Sequence, residues 1–152
     1  MPTFIGSNHP KRTLLFFVAQ DLDDVIRANI RNFVLKLASF RPWLNGPPRF
    51  VNSRDEPENT SSGDMPVETL GGYLEIYSTL PPWTLPREID LHQLDEVTVL
   101  VNALRDFSQE HNLSIELELD GEFIGAIDEG EIDRSLEEGL LGEWRQHLGL
   151  SG

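Results

Sequence analysis

The chain contains no cysteine. That excludes a disulfide framework, a thiolate nucleophile and a thiolate metal site. Histidine is sparse as well. His9, His92, His111 and His147 all stand more than four residues apart, so no HExxH helix or local ligand pair exists. The sequence has no GxSxG nucleophile elbow and no GxxxxGK[ST] phosphate loop. Positive charge is scarce: 12 Lys and Arg face 26 Asp and Glu, a net charge of −14. A direct nucleic-acid binder needs cations for the phosphates, so that class is disfavoured. The longest apolar run is Leu14 to Ala19, against the roughly 18 apolar residues of a membrane span. Residues 1–12 lack an apolar stretch followed by a small-residue cleavage site, so a cytoplasmic, membrane-free setting is expected.

What is present describes a folded domain. The 152 residues are enough for one core burying roughly 70% of the unfolded surface. Charge is unevenly spread. Residues 1–54 hold eight Lys and Arg against three acids, net +5, whereas residues 55–112 are net −10 and residues 113–152 net −9. Such an acidic chain is suited to a basic partner.

Taken in order, residues 1–11 read as a flexible terminus and residues 12–150 as a single α+β domain. Thr13 to Ala19 reads as a central strand buried on both faces. Asp21, with Asp24 three residues on, is the expected cap of a first helix. Its apolar stripe runs from Leu22 to Leu37, and Arg41-Pro42 ends it. Residues 41–72 are irregular, with a short strand at Arg49 to Ser53 and a long loop around 54–66. Gly71-Gly72 reads as a turn before a strand over Gly72 to Thr79. Asp90, with Gln93, is the expected cap of a second helix that stops at His111-Asn112. Leu113 to Asp128 is the clearest signal: alternating residues, an Asp120-Gly121 turn of type I′, and a returning strand. A two-residue turn would pair Leu119 with Glu122, Leu117 with Ile124 and Ile115 with Ala126. Asp133 or Ser135 opens a last helix, and Gly139 and Gly142 within it imply close approach to another backbone.

The expected fold is therefore α+β: a mostly antiparallel sheet with helices on one face, in the order β-α-β-β-α-β-β-α. The nearest topology is the split β-α-β arrangement of ferredoxin-like folds.

Chemistry is hard to find in this pattern. Glu116 and Glu118 lie two apart on one strand face, about 7 Å from each other, but a solvated face explains them better than an acid–base pair. Asp128 to Asp133 carries four acids around Gly130 without the residue order of a calcium loop. No catalytic residue, cofactor site or metal site is assigned. Pro42-Trp43 and Pro82-Trp83 are loop tryptophans that cover a core edge or contact a partner. Tyr73 and Tyr77 share one strand face.

The stretch LELDGEFIGAIDEGEIDRSLEEGLLGEWRQHLG, an acidic hairpin leading into a Gly-Leu-Leu-Gly-Glu-Trp helix, resembles the ends of small immunity proteins. These are encoded beside bacterial polymorphic toxins, including those of contact-dependent growth inhibition. The resemblance covers the last quarter to half of the chain and is one of size, acidity and element order. It implies a cytoplasmic protein, not an enzyme, that binds one toxin domain and blocks it. Toxins of this kind are often nucleases with a basic groove, to which an acidic protein can be steered. The residues expected at the contact are Glu116, Glu118, Asp128, Glu129 and Glu131, with Phe123, Tyr73 and Tyr77 as apolar anchors. Ile127 is expected on the same open face. Two other readings are a non-catalytic adaptor of another system and a small-molecule enzyme using carboxylates near Glu75, Glu116 and Glu118.

Overall fold

The computed structural model describes residues 9–20, 22–55, 67–79 and 85–149. The elements run β1 (Lys11–Val18), α1 (Asp24–Phe40), β2 (Arg49–Asp55), β3 (Val67–Tyr77), α2 (Arg87–His111), β4 (Ser114–Leu119), β5 (Glu122–Asp128) and β6 (Glu131–Ile132). A π-helical segment, Ser135–Gly142, then leads directly into α3, Glu143–His147. The six strands form one sheet in the order β2-β3-β1-β4-β5-β6. Every neighbouring pair is antiparallel.

This order defines the topology. β1 and β2 both run against β3, so they are parallel to each other across one intervening strand, and α1 makes the crossover. β3 and β4 stand in the same relation across β1, joined by α2. Two interleaved crossovers of this kind are the split β-α-β arrangement, and β5 and β6 extend it by hairpins. The α+β expectation holds, with β6 as an added strand.

Local chemistry sets the element ends. Asp23 caps α1, accepting the Ile26 N–H at 2.8 Å. The expected cap, Asp21, lies outside the described residues. Arg41 is extended at the other end, as a residue before proline must be. α2 begins at Arg87, three residues before the expected cap. Asp90 and Gln93 are instead buried in its first turns, where they serve tertiary contacts: Gln93 exchanges two hydrogen bonds with the Tyr77 backbone, at 2.7 and 3.2 Å. Asn112 ends α2 in the left-handed conformation expected of it, with φ 55°. Both β4–β5 and β5–β6 turn through two residues of positive φ: Asp120-Gly121 at 52° and 87°, Glu129-Gly130 at 46° and 87°. These are the values of a type I′ turn. The acidic loop around Gly130 is thus a second tight hairpin.

The helices pack on one side of the sheet. Leu14, Phe16 and Val18 of β1, Leu70, Leu74 and Ile76 of β3, and Ile115, Leu117 and Leu119 of β4 join Ile30, Val34, Leu100, Val101 and Leu104 of the helices in one core. β1 is therefore central but buried on one face only. Thr13 is exposed, and Leu15 and Phe17 are half-buried. The Gly71-Gly72 pair sits inside β3, not in a turn. A side chain at Gly72 would meet the Phe16 ring at 2.6 Å and the Arg49 carbonyl at 2.8 Å. Gly72 makes room for the Phe16 ring, and Gly71 for the β1 backbone at Phe16 and Phe17.

The register of the β4–β5 hairpin also departs from the two-residue alternation. Leu119 pairs with Glu122 and Glu118 with Phe123, but Leu117 then pairs with Gly125 and Ile115 with Ile127. Ile124 is the extra residue of a bulge, which shifts every later side chain to the opposite face. Ile127 is consequently 0% exposed in the core, not on the open face. The close approach expected at Gly139 and Gly142 occurs at Gly125. A Cβ at Gly139 would meet nothing within 4 Å and one at Gly142 only its own segment, at the Glu137 carbonyl 3.1 Å away, whereas one at Gly125 would lie 2.6 Å from Leu136 Cγ.

Candidate binding face

Among the described residues, the opposite side of the sheet carries no helix. Strand alternation places Tyr73, Glu75 and Tyr77 of β3, Thr13, Leu15 and Phe17 of β1, and Glu116 and Glu118 of β4 there. Each of these is half-buried or exposed. Cross-strand pairing aligns them in rows. One row runs Arg49, Tyr73, Leu15, Glu118, Phe123 across five strands. The next runs Val51, Gly71, Phe17, Glu116, Ala126. The centre of the face is thus apolar and aromatic, flanked on the β4–β5 side by carboxylates.

Phe123 projects most, at 57% exposed. The bulge at Ile124 leaves it beside Glu118 while turning Ile127 into the core. Glu116 and Glu118 have no ion-pair partner among the described residues, so their charge is available. Glu75 has Lys11 Nζ at 4.0 Å, a loose surface contact. Asp120, at the hairpin tip, accepts Arg12 Nε–H at 2.8 Å and the Thr13 N–H at 2.9 Å. Those bonds hold its carboxyl below the usual aspartate range, the Arg12 bond most of all. They also pin the hairpin to β1. Asp128 accepts from the Ser114 hydroxyl at 2.6 Å and stands opposite Glu131. Glu129 is exposed in the turn between them. Thr13, Leu15, Tyr73, Glu75, Glu118 and Asp120 line an open depression of about 380 Å³ in the middle of the face.

Six of the eight residues expected at the contact therefore share one sheet face or its edge: Tyr73, Tyr77, Glu116, Glu118, Phe123 and Asp128. Glu131 and Glu129 continue it around the β5–β6 hairpin. Tyr77 lies toward one end, its ring 5.3 Å from that of His9 in an edge-on contact. Sequence reasoning missed Leu15 and Phe17, because a continuous apolar run reads as buried on both sides. The signal that could have found them is the count of elements: the described helices cover one face of six strands, and no described helix is left for the other.

The Trp43 loop does not join this face. Trp43 packs partly buried against the core, with the Arg41 guanidinium 5.7 Å from its ring centroid. Its loop is tied to α2 by the Leu44 N–H, which donates to Glu96 at 2.8 Å. Glu96 is 1% exposed, and burial pushes its carboxyl up despite the Leu44 bond and the nearby His92 and Arg41. Trp83 lies outside the described residues. No group of three or more His, Asp or Glu is arranged to hold a metal ion among the described residues. No described helix is long and apolar enough to cross a membrane.

No protein-family profile, curated protein or solved structure matches the chain.

Proposed function

We propose that the protein is a cytoplasmic immunity protein that binds and neutralises a cognate bacterial toxin domain through the helix-free sheet face. The observation that carries this reading is the composition of that face. Leu15, Phe17, Tyr73 and Phe123 offer apolar area, and Glu116 and Glu118 stand beside them with no ion-pair partner among the described residues. An apolar centre that partners can desolvate, rimmed by charge that steers encounter, is the anatomy of a binding surface. The sign of the rim selects a toxin with a basic active site, such as a nuclease groove, where carboxylates replace phosphates as partners of Arg and Lys. Neutralisation is by occlusion, with no chemistry on the part of the binder. The depression between Leu15, Tyr73 and Glu118 suits one long cationic side chain of the toxin: an apolar wall for its stem and a carboxylate for its head. The resemblance of the hairpin and last helix to immunity proteins supports the same reading.

The test is co-expression with the product of the adjacent gene. The expected result is a one-to-one complex that dissociates on charge reversal at Glu116 and Glu118 and restores growth when intact. A neighbour that carries no toxin domain and forms no complex removes the reading.

A further inference from the structure

The helical side of the sheet holds a second site, independent of the immunity reading. Where β1, β3 and β4 end against the first turns of α2 and the last helical turns, a cleft of about 370 Å³ opens. Ile76, Leu119 and Leu140 give it apolar walls. Asp90, Glu143 and Trp144 line it as well.

Asp90 is the unusual member. It is 4% exposed, yet its carboxylate is held by a single described hydrogen bond, from Trp144 Nε1–H at 2.7 Å. An indole is a neutral donor, and a buried carboxylate ordinarily has a cation or several N–H groups. No cation forms an ion pair with Asp90 among the residues whose side chains are described. Two basic side chains also line the cleft: Arg12 is engaged by Asp120 at 2.8 Å, and His147 is exposed and forms no ion pair with Asp90. The cleft therefore presents a buried carboxylate without a described cation. Glu143 adds negative charge at the exposed rim.

We infer that this cleft binds an alkyl guanidinium or alkyl ammonium group. The cation pairs with the Asp90 carboxylate, and the alkyl stem lies along Ile76, Leu119 and Leu140. The group has two sources, a free small amine or an arginine or lysine side chain on another protein. Their recognition chemistry is the same.

The experiment is a titration of the full chain with N-butylguanidinium, followed by calorimetry and by the Trp144 indole N–H resonance. N-butylurea, its neutral isostere, is titrated in parallel. Saturable binding of the guanidinium, at least about tenfold tighter than that of the urea, is expected for a charge-selective site. Asp90→Asn keeps an oxygen for the Trp144 bond and should weaken the guanidinium by about tenfold or more. A blocked Gly-Arg-Gly peptide assigns the source. Tighter binding than N-butylguanidinium points to a protein side chain, and weaker binding to a free amine. The inference is overturned if the guanidinium does not saturate, if the urea binds equally well, or if a folded Asp90→Asn protein binds the cation unimpaired. The comparison of guanidinium with urea uses the unaltered chain, so it stands even if Asp90→Asn does not fold.

Discussion

Gly125 and Leu136 decide which side of the sheet stays open. A Cβ at residue 125 would lie 2.6 Å from Leu136 Cγ and 3.2 Å from Leu136 N, so only glycine lets the π-helical segment settle on β5. Its φ of 151° further restricts the position. Gly125→Ala is expected to cost about 1–3 kcal/mol by overpacking and backbone strain together. Urea unfolding measures it, as a lower midpoint at unchanged slope. A neutral substitution would mean that Leu136 can move aside.

The bulge at Ile124 gives a paired prediction. Ile127 is fully buried, so Ile127→Ala should cost ~2–5 kcal/mol. Phe123, four residues earlier and 57% exposed, should change stability by no more than ~0.5 kcal/mol when cut to alanine. Without the bulge the two residues would share a face and behave alike. Thermal unfolding of both variants distinguishes the registers.

Those two residues also show what sequence reasoning can and cannot see. The Asp120-Gly121 turn, the Asn112 cap and the stop at Arg41-Pro42 come from local backbone chemistry, and all stand in the structure. The split β-α-β order comes from the alternation of strand and helix patterns. The bulge does not, because one extra residue leaves no mark in a run that reads Ile-Gly-Ala-Ile. The Gly71-Gly72 pair misleads for a related reason. A glycine doublet signals a turn unless a neighbouring strand supplies a Phe16 to fill its space, and that is long-range information. For the candidate face, the acids and aromatics of β3, β4 and β5 were identifiable from alternation. Leu15 and Phe17 were not, since nothing within β1 tells a strand covered on two sides from one covered on one.

Glu96 predicts a pH dependence. Burial raises its carboxyl above the ordinary value of 4.5. The folded protein then holds this proton more tightly than the unfolded chain, so stability falls as pH rises from 4.5 through the raised value. Glu96→Gln removes the titration and keeps an acceptor for the Leu44 N–H. Relative to the unaltered protein, the variant should therefore be more stable at pH 7 than at pH 4. Parallel denaturation curves at the two pH values test it, and an unchanged difference would contradict it.

Asp120 predicts the opposite sign. Its carboxyl is lowered from 3.8, chiefly by Arg12 and then by the Thr13 N–H. The stability this gives is present above 3.8 and is lost as pH falls through the lowered value. The pair is solvent-exposed and screened, so Asp120→Asn should cost only ~0.2–1 kcal/mol at neutral pH. Asparagine suits the positive φ of the turn, which isolates the charge. The cost should vanish in strong acid and shrink in high salt. A cost that persists in acid would assign it to the turn and not to the ion pair.

The proposed binding of a basic toxin domain to the helix-free face gives the last prediction. It is checked by the association rate with the toxin domain that the proposal expects from the adjacent gene, at low and high salt, for the unaltered protein and for Glu116→Lys/Glu118→Lys. Both glutamates lie outside the core, so the double variant should keep its fold. The expected rate falls steeply with salt and drops by at least about tenfold on charge reversal. A complex that forms at the same rate in both proteins and at both ionic strengths would place the interface elsewhere and contradict it.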